Sequence, residues 1–81
     1  MNSQEIFALI VFNIREMVPG LAREQVRPES KLSPLGLDSV GRAELIEKML
    51  EDLQLNVPRQ EFHSAKDLEE LAQLFAKRVN A

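Results

Sequence analysis

Ser39, in the run Leu35-Gly36-Leu37-Asp38-Ser39-Val40, has the most chemistry to offer in this chain. It follows a stretch rich in Gly and Pro and opens an acidic amphipathic one, which places it at the first position of a helix with its hydroxyl facing water. Nothing nearby makes it a nucleophile, because the sole histidine is His63 and there is no cysteine. His63 itself reads as an ordinary surface or helix-end histidine. Glu44, Glu47 and Glu51 are spaced by three and four, so they share one helix face and could imitate a paired-carboxylate or metal site. With no histidine beside them, a solvated or partner-facing acidic face is the expected reading. Gly36 and Gly41 make no phosphate-binding loop, since no lysine stands at the required spacing. A displayed serine without catalytic partners is a place to attach something.

Four helical segments must position that serine. Residues 3–18 form the first, with Ser3 as N-cap and Phe7, Ile10, Val11, Ile14, Met17 and Val18 at helical spacing. Pro19-Gly20 stops it. Residues 19–38 carry Pro19, Gly20, Pro28, Pro34 and Gly36, which forbid a long regular element. Such a long connection tends to be functional or self-packed. Leu21, Val26, Leu32, Leu35 and Leu37 can pin it to the core as a crossover between two helices running the same way. Residues 39–53 form the second helix. Leu45, Ile46, Met49 and Leu53 make its core stripe. Val40, Ala43, Glu47 and Leu50 make a second row beside Ser39, which is either a wider core stripe under the loop or a partner-docking face. Residues 58–63, opened by Pro58 and held through Phe62, form a short third helix. Ser64-Ala65-Lys66-Asp67 resembles a capping box and opens a last helix over 66–78, with Leu68, Leu71, Ala72, Phe75 and Val79 in register. The expected fold is all-α, a small four-helix bundle of three main helices and one short one, forming a single domain over 1–81.

Composition narrows the partners. At 81 residues the core is near the lower size limit, and 44% hydrophobic with 28% charged suits an ordered domain. No apolar run is long enough to span a membrane, and no secretory leader is apparent. Zero cysteines exclude disulfides and thiolate sites and leave the cytoplasm as the default location. The net charge of −3 arises entirely within residues 38–54, where Asp38, Glu44, Glu47, Glu51 and Asp52 face only Arg42 and Lys48. That placement disfavours nucleic acid and favours proteins with basic docking surfaces. A lone Asp-Ser at a helix start is ordinarily just a cap. Here the long loop, the Leu-Gly-Leu approach, Val40 and the acidic helix favour a phosphate-linked arm, which the positive helix end would accommodate.

The run Leu35-Gly36-Leu37-Asp38-Ser39-Val40 resembles the phosphopantetheine attachment motif of acyl and peptidyl carrier proteins, and the likeness extends over nearly the whole chain. The resemblance implies a carrier without catalytic activity. Ser39 would hold a covalent 4′-phosphopantetheine from coenzyme A, Asp38 would assist the phosphopantetheinyl transferase, and Val40 would pack beside the arm. Asp38-Ser39-Val40-Gly41-Arg42-Ala43-Glu44, Met49-Leu50-Glu51-Asp52-Leu53-Gln54-Leu55-Asn56-Val57-Pro58-Arg59 and Lys66-Asp67-Leu68 are similar to the stand-alone donor carriers of polyketide β-branching cassettes. That narrower likeness implies an acetyl cargo, made by decarboxylation of a malonyl unit and delivered to an HMG-CoA synthase-like enzyme. An acyltransferase and a decarboxylating ketosynthase would be further partners, and the carrier would be a monomer. Acceptor carriers of these systems typically show a tryptophan on the second helix, and this chain has none. Glu47-Lys48 departs from the more apolar residues of the donors. Val40, Arg42, Ala43, Glu44, Glu47 and Leu50 are the expected recognition surface. A general polyketide, fatty-acid or peptidyl carrier is the alternative within the class, and a helical interaction domain without a prosthetic group the alternative outside it.

Overall fold

Three amphipathic helices close around one core in the computed structural model, which describes residues 1–80. They are α1 (Ser3–Met17), α2 (Ser39–Asp52) and α3 (Leu68–Val79), with short 3-10 turns at Arg23–Gln25, Ser33–Leu35 and Arg59–Phe62, and no strand among the described residues. The core is continuous: Ile6, Ile10 and Ile14 of α1 meet Leu45, Ile46 and Met49 of α2 and Leu68, Leu71 and Phe75 of α3. These are the apolar stripes that helical spacing selects.

The helix ends differ from the sequence reading for identifiable reasons. Asn2, not Ser3, caps α1: its Oδ1 accepts from the Glu5 N–H at 2.8 Å, while the Glu5 carboxylate accepts from the Asn2 N–H at 2.9 Å. Both open amides of that turn are thereby satisfied reciprocally, which Ser3 one residue later could not do. α3 starts at Leu68 rather than 66, because Asp67 is its cap and accepts from the Glu70 N–H at 2.9 Å. The expected short helix over 58–63 is a single 3-10 turn, Arg59–Phe62. Four residues cannot sustain an α-helix, so this turn is held from outside. Phe62 stacks on Phe75 of α3 with ring centroids 4.2 Å apart, and Glu61 pairs with Arg78 at 2.7 Å.

The long connection is fastened at both ends of its path. Val26, Leu32 and Leu37 are buried, with Leu21 and Leu35 packed against the core. The Ser30 and Pro28 carbonyls accept from the first amides of α3, Leu68 N–H at 3.0 Å and Glu69 N–H at 2.7 Å. Gly36, at φ +96°, ends the Ser33–Leu35 turn in the left-handed region, where a side chain would be strained. The C-terminal halves of α1 and α2 meet at Asn13, the one buried polar residue among those described, whose Nδ2 donates to Asp52 at 2.9 Å. The chain must therefore travel back along the molecule before α2 begins, and this delivers Ser39 at the far end of that helix.

Candidate functional site: the first turn of helix α2

Asp38 caps α2, its Oδ1 accepting from the Gly41 N–H at 2.8 Å. Ser39 follows as the first helical residue, exposed, with no hydrogen-bond partner on its hydroxyl among the described residues. The Ser39 and Val40 amides have no acceptor in the helix either, as at any helix start. Val40 is 65% exposed, an unusual position for a β-branched apolar side chain. Gly41 lets the turn sit close on Leu37, since a Cβ there would come within 2.9 Å of Leu37 Cδ2.

Of the expected recognition residues, Asp38, Val40, Glu44 and Glu47 are exposed and Ala43 is half-buried. Two take other places. Leu50 is 7% exposed and belongs to the core, covered where the chain turns back after α2 and Leu55 packs on the core. Arg42 is half-buried, its Nη2 donating to the carbonyls of Ala65 at 2.8 Å, His63 at 3.2 Å and Phe62 at 3.4 Å. The His63 and Ala65 carbonyls take no backbone N–H among the described residues, so the guanidinium satisfies groups that the fold leaves open, while the Phe62 carbonyl also accepts from the Ala65 N–H at 3.4 Å. His63 is exposed and supplies only its backbone carbonyl to this arrangement.

Two concavities flank α2. A depression of about 490 Å³ surrounds Ser39 and is lined by Lys31, Leu32, Ser33, Leu37, Asp38, Arg42 and Lys66. An open groove of about 860 Å³ runs between Glu44, Glu47 and Glu51 of α2 and the Leu55–Gln60 segment, crossed by the Glu47–Arg59 pair at 3.7 Å. Lys31 and Lys66 escaped the sequence reading because neither lies on a periodic stripe. Only the folded path of two loops brings them beside Ser39.

Ser39 thus presents its hydroxyl at a helix tip with no base hydrogen-bonded to it among the described residues. The family model "Phosphopantetheine attachment site" matches residues 14–75, and the chain belongs to this family of carrier proteins. It is 42% identical, over its full length and 99% of the relative, to the polyketide biosynthesis acyl-carrier-protein AcpK of Bacillus subtilis strain 168. Among solved structures it resembles a chain of the curacin biosynthetic pathway HMG synthase in complex with its acetyl donor acyl carrier protein. That match has a TM-score of 0.89 and 43% identity, covering 95% of this chain and 99% of the other. The protein is thus a non-catalytic acyl carrier that bears covalent 4′-phosphopantetheine. The site fits such a group: the Ser39 hydroxyl is open to an enzyme, and the ground beside it holds three cations against the single carboxylate of Asp38. No described helix is long and apolar enough to cross a membrane.

Proposed function

We propose that Ser39 is the anchor of the arm and that the chain is the acetyl donor of a polyketide β-branching system. The observation that carries the donor reading is the 43% identity, over 95% of the chain, to a structural relative described as an acetyl donor carrier in complex with HMG synthase. Ser39 Oγ takes the phosphopantetheinyl group from coenzyme A on a phosphopantetheinyl transferase, forming the Oγ–P bond as the nucleotide part departs. Asp38 holds the first turn of α2 so that the hydroxyl is presented, and Val40 offers an apolar contact beside it. The arm supplies a terminal thiol, which holds the cargo as a thioester in a chain that has no cysteine of its own. Beneath Arg42, between Leu32 and Leu71, the gap is about 10 Å³, room for one water at most, which suits a small cargo that stays outside the core there.

Exposed Glu44 and Glu47, with half-buried Ala43 between them and the first turn, form the recognition strip for an HMG-CoA synthase-like partner, and Arg42 acts through the 62–65 corner. An acyltransferase and a decarboxylating ketosynthase load the arm, and the cytoplasm is the place of action. Contacts of this kind stay modest in affinity, because one carrier visits several enzymes in turn. The test loads the arm-bearing chain with acetyl and follows transfer to an HMG-CoA synthase of a β-branching system. Glu44→Gln and Glu47→Gln slow that transfer while arm attachment proceeds at the wild-type rate. Equal loss at the transferase and the synthase, or a refusal of the synthase to accept acetyl from the wild type, contradicts the donor reading.

A further inference from the structure

α2 is the acidic helix of an acidic protein, yet the ground around its first residue is basic. Lys31, Arg42 and Lys66 come from three separate segments to line the depression at Ser39. Its one carboxylate, Asp38, is already engaged by the Gly41 N–H at 2.8 Å. Arg42 is no loose surface cation. Its Nη2 is held by three carbonyls at 2.8–3.4 Å, which leaves Nε and Nη1 without a protein acceptor among the described residues. The same bonds fasten the corner that leads to Lys66. Neither lysine enters an ion pair among the described residues. Three cations around one carboxylate leave a net positive charge, and an anion placed among them lowers their mutual repulsion. A planar guanidinium fixed in place is also well suited to phosphate oxygens.

We propose that Lys31, Arg42 and Lys66 form a collar that receives the phosphodiester of the arm at Ser39. The collar sets the root of the arm on the loop side of α2, away from the like-charged strip of Glu44 and Glu47. The proposal rests on the reading of Ser39 as the anchor. The phosphorus would be bonded directly to Ser39 Oγ, which itself lines the depression that these side chains share, so its oxygens would sit beside them.

The full-length chain, labelled with nitrogen-15, is converted by a phosphopantetheinyl transferase and coenzyme A, with completeness read by intact mass. Attachment shifts the amides of Leu32, Ser33 and Lys66 more than those of Glu47 and Glu51. The shifts shrink between 0.1 M and 1 M salt, as the Debye length falls from about 10 Å to about 3 Å. The surface variant K31Q/K66Q takes up the same mass but loses these shifts, and its phosphorus-31 resonance moves from the wild-type position. Identical amide and phosphorus shifts in wild type and variant overturn the collar while leaving Ser39 as the anchor. The same identity joined to a raised KM for acyl transfer assigns the cations to carboxylates on a partner, which also overturns it. A wild type that gains no mass defeats the anchor and the collar together.

Discussion

The two halves of α2 do opposite work. Its last two turns are structural: Leu45, Ile46, Met49 and Leu50 are buried, and Asp52 is tied to Asn13 of α1. Its first turn has no fully buried residue: Ser39 and Val40 are exposed, Asp38 caps the turn from within, Gly41 sits close on Leu37, and Arg42 ties it to the 62–65 corner. One half fixes the helix so that the other can be approached. A carrier needs this division, because the attachment point must be open to several enzymes while the domain stays folded around a small core.

Substitutions graded along the helix can break this contrast. The largest effect belongs to Ile46→Ala, which removes a side chain with 0% exposure and costs about 2–5 kcal/mol. A domain of this size holds roughly 4–12 kcal/mol in all, so thermal unfolding detects the loss as a fall in Tm of about 8 °C or more, at on the order of 4–8 °C per kcal/mol. Arg42→Gln comes next. Loss of a charge-assisted donor to three carbonyls costs about 1.5–3 kcal/mol and speeds amide exchange at residues 62–66 before the rest of the fold. An unchanged melt and exchange pattern would return Arg42 to a simple surface contact. Asp38→Ala removes the cap, costs about 1 kcal/mol and frays the first turn, seen as faster exchange at Gly41 with the core amides unaltered.

The smallest effect lies at the other end of the helix and has the opposite sign. Gln54 follows α2 at φ 55°, and the bonds Leu55 N–H to Leu50 carbonyl at 2.9 Å and Gln54 N–H to Glu51 carbonyl at 3.1 Å close the helix around it. Gln54→Gly removes the left-handed penalty, offset in part by greater freedom in the unfolded chain. The expected net gain is below about 1 kcal/mol in a denaturant melt.

That stop shows why parts of the fold were hidden in the sequence. Glycine would have marked the end of α2, but a glutamine occupies the left-handed position and gives no signal. Leu50 sits on a row with Val40 and Glu47, and periodicity alone does not say which end of the row the returning chain covers. Arg42 looked like a surface charge because the carbonyls it satisfies belong to a corner about twenty positions later. The core stripes of α1, α2 and α3 were legible, since apolar spacing dictates them directly. The exposed place of Ser39 at the start of α2 was legible too, since the turn before it and the apolar Val40 after it are local. The collar of Lys31, Arg42 and Lys66 was not, because it exists only once two loops are folded against one helix.

The role of Ser39 is the claim on which the rest depends. The direct measurement is intact mass after incubation of the chain with coenzyme A and a phosphopantetheinyl transferase active on carrier proteins. The wild type gains the mass of one phosphopantetheinyl group and Ser39→Ala gains none. A wild type that gains no mass, or a Ser39→Ala chain that gains as much, contradicts the account.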